Sequence, residues 1–306
     1  MSDITLSTAE AADLLGVHPS TAKRWLDESA SGVDRTEGGH RRVGLSELLA
    51  LAEHKGGSTF LAPFTPFEAH AWQAIREEET SANGVAFTEL AVGWLLYADP
   101  RRIGLLFETL ARRARLPFER LIDGPLTHFM HAVGDAWRQG RLRVADEHLV
   151  TQMLLESLIR VGSRWSEPMA LRADAPQSVV ACAEGNLHQL GALSVRLTLE
   201  RFGWRAWYLG PDVPVAEVLS AQQSQDASLV CIAFGASQCQ ADVLRCLDAT
   251  ERMLSERPAS FRVVLGGPPC TPEVIAGRAH PFASLDCLSS MQALADWLGE
   301  HHGEGR

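Results

Sequence analysis

The residue best suited to metal chemistry is His188. It stands in the segment Glu184, Gly185, Asn186, Leu187, His188, Gln189, Leu190, Gly191, just past a β-rich run and at or near a helix start. A neutral imidazole is a good ligand for a first-row metal, an acceptor nearby fixes its tautomer, and a glycine three residues on permits close approach. Two other segments place small residues after apolar runs: Phe234, Gly235, Ala236, Ser237, and Leu265, Gly266, Gly267, Pro268. At strand ends such residues let a bulky group reach the backbone. Taken singly, each also reads as an ordinary turn or a structural histidine.

A second unusual group lies upstream. On one helix Glu147 shares a stripe with Val150, Leu154, Leu158 and Val161, because steps of 3, 7, 11 and 14 return to one face. A carboxylate on an apolar stripe is costly without a partner. Trp137 closes the inward face of the preceding helix, behind Ile122, Leu126, Phe129, Met130 and Val133. A large ring and a carboxylate facing one cavity suit a nucleoside with a hydroxylated ribose. The plainer alternative makes Glu147 a favourable charge at a helix N-terminus after Asp146, and Trp137 core.

The elements that must position these residues follow from periodicity. From about 176, β-rich runs at 178–183, 205–209, 228–234 and 262–265 alternate with helical stretches at 188–202, 215–223, 238–256 and 290–299. That alternation implies a doubly wound parallel sheet, whose ligands sit beyond the C-terminal strand ends. Between about 69 and 172 the period is 3.6, as in Ile103, Leu106, Phe107, Leu110 and Ala114, and implies a bundle of four or five helices. Residues 58–68 read as a linker.

Residues 1–57 read as a winged helix-turn-helix. Ser7 and Glu10 have capping-box spacing before a helix that stops at Gly16, and Ser20 or its neighbour caps a second helix through Glu28. Gly38-Gly39 marks a hairpin, and Ser46 is placed to cap a third helix through Lys55. The fold class is thus multidomain α and α/β: winged helix-turn-helix over 1–57, bundle over 69–172, parallel sheet over 176–300.

Charge and composition bound the function. The 306 residues carry a net charge of −10, so no global basic field points to nucleic acid. Over 1–57 there are six Lys/Arg against nine Asp/Glu, yet Lys23, Arg24, Arg35, Arg41 and Arg42 cluster on the second helix and wing. One such module makes few phosphate contacts, so firm DNA binding calls for several copies. No apolar run is long enough to span a membrane, and the N-terminus lacks a signal-peptide pattern. The six Cys show no C-x-x-C, which speaks against a zinc site or disulfide framework and fits a reducing cytoplasm.

Together, His188 with Gly191, Ser237, and Gly266-Gly267 resemble the Rossmann/flavodoxin-like cobalamin-binding domain shared by methionine synthase and its relatives. The resemblance implies that His188 is the lower axial cobalt ligand. It also implies that Gly191, Ser237, Gly266 and Gly267 line a slot for the displaced dimethylbenzimidazole tail, with Gly235 the alternative register for the serine. Asn186 stands where that family has an acid, and is expected to accept a hydrogen bond from the imidazole with less electrostatic push.

Trp137, followed after nine residues by Glu147-His148, resembles the CarH/LitR photoreceptors, which join a MerR-type DNA-binding domain to a cobalamin-binding bundle and sheet. The segment Tyr208 to Pro214 also looks like theirs. This resemblance implies a transcriptional regulator rather than an enzyme, with adenosylcobalamin as chromophore and Trp137, Glu147 and His148 around its upper face. It further implies a dark homotetramer on double-stranded operator DNA, taken apart when light cleaves the cobalt–carbon bond. Ser20, Thr21, Lys23 and Arg24 would then lie at the groove, with His40, Arg41 and Arg42 on the wing against phosphates. Arg138 stands where some members have a histidine for the upper cobalt position; His128, His131 and His148 are nearby. The alternatives are a corrinoid methyl carrier of a methyltransferase system and a light-independent sensor of cobalamin or another tetrapyrrole.

Overall fold

The computed structural model describes residues 4–29, 33–35, 41–97, 99–113, 116–163, 172–254 and 259–301. Contacts divide the chain into two units, Met1–Glu77 and Glu78–Arg306.

The first unit begins with β1 (Thr5–Ser7), α1 (Thr8–Leu15) and α2 (Pro19–Glu28), followed by β2 (Val33–Arg35), β3 (Arg41–Gly44) and α3 (Leu45–His54). The capping box forms as expected. The Ser7 N–H donates to Glu10 Oε2 at 2.8 Å, and the Glu10 N–H to Ser7 Oγ at 3.3 Å. Gly16 ends α1 at φ +65°, which turns the chain into α2. There the His18 ring, rather than Ser20, caps: it accepts the Ser20 N–H, and Pro19 opens the helix. The antiparallel order β1-β3-β2 adds a strand the sequence reading lacks. The expected turn at Gly38-Gly39 lies outside the described residues. Ser46 does not cap α3; Gly44 is the cap residue, and its N–H donates to Glu47 Oε2 at 3.2 Å.

The expected linker is not a free tether. It holds a 3₁₀ turn (Ala62–Phe64) and buries Leu61 and Phe64 completely before α4 (Glu68–Ser81). Two apolar side chains without exposure fix a segment whose Gly, Ser and Pro content suggests a coil.

The second unit opens with a bundle: α5 (Val85–Tyr97), α6 (Arg101–Arg113), α7 (Phe118–Leu121) continuing through a π-helical turn (Ile122–Leu126) into α8 (Thr127–Arg138), and α9 (Val144–Gly162). Ile103, Leu106, Phe107 and Leu110 are buried as their spacing requires, while Ala114 lies outside the described residues. Phe87 stacks edge-on against Phe107 and Phe129 at 6.3 and 5.7 Å. The fully buried carboxylate of Glu78 accepts the N–H groups of Gly84 and Phe87 at 2.9 and 3.1 Å, which settles both a buried charge and the start of α5.

Then come β4 (Gln177–Ala183), α10 (Leu190–Arg201), β5 (Arg205–Val213), α11 (Val215–Ser224), β6 (Leu229–Ala233), α12 (Gln240–Met253), β7 (Arg262–Gly266), α13 (Pro272–Ile275), β8 (Ser284–Leu288) and α14 (Met291–His301). All five strands are parallel in the order β5-β4-β6-β7-β8. Alternate residues serve opposite faces. Val179, Ala181 and Ala183 pack with α11 and α12; Val180 and Cys182 pack with α10 and α14. A strand covered on both sides reads as a continuous apolar run, which is how β4, β6 and β7 show in the sequence.

Bundle and sheet are tied by charge. Asp123, in the π-helical turn, accepts the N–H groups of Met291 and Gln292 at 2.8 and 2.9 Å and so caps α14. Arg201 of α10 pairs with the buried Glu119 at 2.6 Å and lies over the Phe118 ring.

Two outcomes follow. Asp123→Ala frees the Met291 and Gln292 N–H groups at the start of α14, while Ser290 keeps that of Ala293, and should cost about 1–2 kcal/mol in urea unfolding of the full chain. The Glu10 carboxyl sits below its ordinary value of 4.5: burial pulls upward, but the Ser7 hydrogen bonds and the guanidiniums of Arg76 and Arg42 outweigh it. Its contribution is complete above that value and is lost as pH falls through the lower folded one. Hydrogen-exchange protection of α1 should therefore fall on going from neutral to about pH 4 more steeply in wild type than in Glu10→Gln.

Candidate functional site

The strand order decides where a ligand belongs. The chain leaves β4 for one neighbour, β5, and returns to the other, β6, so the crevice at the topological switch point opens between the carboxyl ends of β4 and β6. The loops at its edges are 184–189 and 234–239, and the first carries His188.

His188 is exposed and lies in the loop, two residues before α10 and so near the helix start. Its main chain is held on both sides: the N–H donates to Asn186 Oδ1 at 3.0 Å, and the carbonyl accepts from Cys182 Sγ at 3.7 Å. Burial pushes the Cys182 thiol up to about 11, against a smaller opposing effect of its Tyr208 contact, so it stays a donor at neutral pH. The imidazole nitrogens have no hydrogen-bond partner among the described residues. A fixed backbone with an open ring is what ligation from below a flat metal complex needs.

Asn186 is only 1% exposed and does not reach the imidazole, contrary to the expectation from sequence. Its Oδ1 takes the His188 amide, and its Nδ2 donates to the Ala233 carbonyl at 2.8 Å at the end of β6. The neutral amide suits this place because a carboxylate has no donor for that carbonyl. Gly235 completes the fit: a Cβ there would fall 2.5 Å from Asn186 Oδ1 and 3.3 Å from His188 Cδ2. The register left open in the sequence between Gly235 and Ser237 therefore has a geometric difference. Gly235 is buried against the His188 loop, whereas Ser237 is exposed.

Two residues that sequence reasoning missed hold the same loop. Asp212, at φ +52° in the extended β5, accepts the Gly185 N–H at 2.7 Å, and its own N–H donates to the Asn186 carbonyl at 3.0 Å. Gln238 joins Gly235 to Glu184. Neither carries a local signal, since their partners lie 27 and 54 residues away for Asp212 and for Gln238 on Glu184.

In the Gly-Gly loop the second glycine is required by close packing of main chain on main chain. Gly267 sits at φ +115°, and a Cβ would lie 2.1 Å from the Phe234 carbonyl oxygen. Gly266 has ordinary room, and at Gly191 no protein atom lies within 4 Å of the Cβ position, so the protein's own packing demands no glycine there. Among the described residues no group of three or more His, Cys, Asp or Glu could hold an ion. One open imidazole beside a glycine-lined crevice fits a metal that arrives with its equatorial ligands.

On the bundle, Trp137 lies at the end of α8 half exposed, which excludes the plainer alternative that makes it core. Ile122, Leu126, Phe129 and Val133 of its stripe are buried. Val150, Leu154, Leu158 and Val161 are buried as well, with Glu147 at their N-terminal end. Glu147 accepts the Thr151 hydroxyl at 2.8 Å, and His148 Nδ1 lies 2.9 Å from its other oxygen. Arg138 is paired with Asp135.

In the first unit, Ser20, Lys23 and Arg24 are exposed on α2, with Thr21 partly so. The Ser20 hydroxyl meets His18 Nδ1 at 2.8 Å, and Arg24 stands 3.9 Å from Glu28. Arg41 is engaged internally, since its guanidinium holds Asp27 at 2.7 Å and ties β3 to α2. Arg42 is more open, 3.8 Å from Glu10. His40 lies outside the described residues.

Asn186→Asp should destabilise the chain by about 1–3 kcal/mol in urea unfolding, because an acceptor replaces the donor facing Ala233 O in a buried place. Retention of full stability would mean that bond contributes nothing.

A family model described as a B12 binding domain matches residues 176–281, and a second of the same description matches 98–166. Over 295 residues, 92% of each chain, the sequence is 30% identical to the HTH-type transcriptional repressor CarH of Myxococcus xanthus. It is 31% identical to the repressor CarA of the same organism over 49% of this chain and 47% of that one. The structure of the Methanosarcina barkeri monomethylamine corrinoid protein shares the fold at TM-score 0.54 and 18% identity, over 70% of this chain and 97% of that one. With a B12-binding sheet, a matching bundle and similarity along nearly its whole length, this chain belongs to the CarH family of cobalamin-binding transcriptional regulators.

Proposed function

We propose that the protein is a light-responsive repressor with adenosylcobalamin as its chromophore. The observation that carries the choice of regulator over methyl carrier is the N-terminal unit. Its α1–α2 pair and β-hairpin form a module that methyl transfer does not require, and similarity to a repressor extends along 92% of both chains. The corrinoid protein of similar fold is matched over nearly all its length by 70% of this chain.

In this reading His188 is the lower axial ligand, presented by the Asn186 latch. Asn186 serves the loop rather than the cofactor directly. Gly191, Ser237, Gly266 and Gly267 flank the nucleotide tail, with the Gly235 position tight against the ligand loop. The bundle, residues 69–172, covers the upper face with Trp137, Glu147 and His148. The half-exposed ring of Trp137 supports this role, since an aromatic side chain that helix packing leaves uncovered offers a stacking surface for a base. Glu147, already an acceptor for Thr151, has a second oxygen for a ribose hydroxyl in exchange for His148. When bound, adenosylcobalamin supplies a photolabile cobalt–carbon bond.

The DNA-facing residues are Ser20, Thr21, Lys23, Arg24, His40 and Arg42, with Arg41 acting through its hold on Asp27. A module with so few free cations binds firmly only as several linked copies, so dark assembly into a tetramer and light-driven separation would switch operator occupancy.

The test is purification in the dark with adenosylcobalamin, then absorption spectrum, gel-filtration volume and operator binding before and after green light. A corrinoid spectrum that changes on illumination, with a large DNA-binding species giving way to a smaller one, is expected, and His188→Ala should lose the lower ligand. Equal size and DNA binding in light and dark would instead identify a light-independent sensor, a reading favoured by the Arg138–Asp135 pair where a photoproduct ligand would stand. Ready methyl transfer without operator binding would identify a methyl carrier.

A further inference from the structure

We propose that Gln238 is the positioning residue that holds the His188 loop in its ligating shape before any corrinoid arrives. The inference rests on the assignment of His188 as the cobalt ligand.

Gln238 makes a closed ring with the end of β6. Its side-chain Oε1 accepts the Gly235 N–H at 2.9 Å, and its own N–H donates to the Gly235 carbonyl at 3.1 Å. Its Nε2 donates across the crevice to the Glu184 carbonyl at 3.0 Å. One amide thus fixes both rims of the switch-point crevice, a donor on one side and an acceptor on the other.

The position of Gly235 shows why this residue lies three places further on. A Cβ at 235 would strike Asn186 Oδ1 and crowd the His188 ring, so the strand end itself cannot carry a polar side chain. Gln238 brings its polar group in from the side instead. Asn186 works in parallel, donating to Ala233 and accepting from His188. The main-chain groups of the turn are then shared out. Ala183 C=O takes the Asn186 N–H, Gly185 N–H goes to Asp212, Asn186 C=O takes the Asp212 N–H, and Glu184 C=O goes to Gln238. Losing Gln238 releases Glu184 and Gly235 together, four residues before His188 on one rim and at the position where an added Cβ would crowd its ring on the other.

Both bridging residues are neutral amides, and each makes one donated and one accepted bond to the main chain. A carboxylate at 238 would keep the bond to Gly235 and oppose the Glu184 carbonyl. The loop is therefore preorganised without adding charge beneath the metal, and ligation has less ordering to supply.

The experiment uses cob(II)alamin and full-length protein labelled with [15N]histidine. Electron paramagnetic resonance separates a 15N doublet from histidine from the 14N triplet of the cofactor's own base. Wild type is expected to show the doublet. Gln238→Met, of similar length but without hydrogen bonds, should lose most of it and bind about 10- to 100-fold more weakly. Gln222→Met, which removes an amide bond to Ala227 remote from the crevice, should keep both. Gln238→Glu should fall between. An undiminished doublet and unchanged affinity in Gln238→Met, with the apo melting temperature equal to wild type, would overturn the inference. Wild type lacking the doublet would instead overturn the ligation assignment, and the inference with it. Parallel loss in Gln222→Met would reduce the effect to general destabilisation and overturn it too.

Discussion

The carboxyl ends of β4 and β6 are joined by a buried side-chain amide, and the rest of the site is arranged around that bond. Asn186 donates to Ala233 and accepts from His188, so the main chain of His188 is fixed by the neighbouring strand rather than by the helix that follows it. The constraint spreads outward. Because Asn186 fills the space, residue 235 must be glycine; because Gly235 is bare, Gln238 supplies the polar contact; because the loop stands clear of α10, Asp212 must hold Gly185 from β5 in a left-handed conformation. The sheet topology chooses the crevice, and hydrogen bonding between main chain and side-chain amides gives it a fixed shape.

The bundle is built to a different logic. Its core is ordinary aromatic and aliphatic packing, and it meets the sheet domain through polar and apolar contacts alike: Asp123 on α14, Glu119 on Arg201, and the end of α9 against Leu197 of α10. The two polar joints add directional bonds to that packing and so fix the orientation of bundle and sheet. The α4–α5 corner is tighter. A Cβ on Gly124 of the π-helical turn would lie 2.2 Å from the Ala82 carbonyl oxygen, so that turn is pressed on one side by Ala82 while its Asp123 reaches α14.

Much of this was legible in the residues, for identifiable reasons. The apolar runs of β4, β6 and β7 declare strands covered on both faces, and the loops after them fall where a parallel sheet puts its ligands. The stripes ending at Trp137 and starting at Glu147 were legible as helix faces. Periodicity marks a face and is silent on whether anything covers its end, which is why the residues alone left Trp137 between core and a cavity wall, and its half exposure decides against core. β8 was missed because Ser284 and Asp286 interrupt it at the sheet edge, and β1 because three residues carry no period of their own. Asn186 was recognisable by position but not by partner, and Gln238 not at all. Their bonds are to main-chain atoms 47 and 54 residues away, which no local spacing encodes.

Gly162 gives α9 an unusual mechanical character. A side chain there would overlap the methyl groups of Leu197 at 2.5 and 2.7 Å, so the last turn of this 19-residue helix is seated directly on α10 of the sheet domain. Glu147 lies at the other end, about 22 Å along the axis at 1.5 Å per residue. Between these ends the helix lies along α6, with Val150, Leu154 and Leu158 buried and Ser157 and Arg160 bonded to Glu108. A rod packed along its length moves as one piece, so the end that carries Glu147 keeps a fixed distance from the seat on α10. The smallest residue in the helix thus sets how closely bundle and sheet domain approach one another.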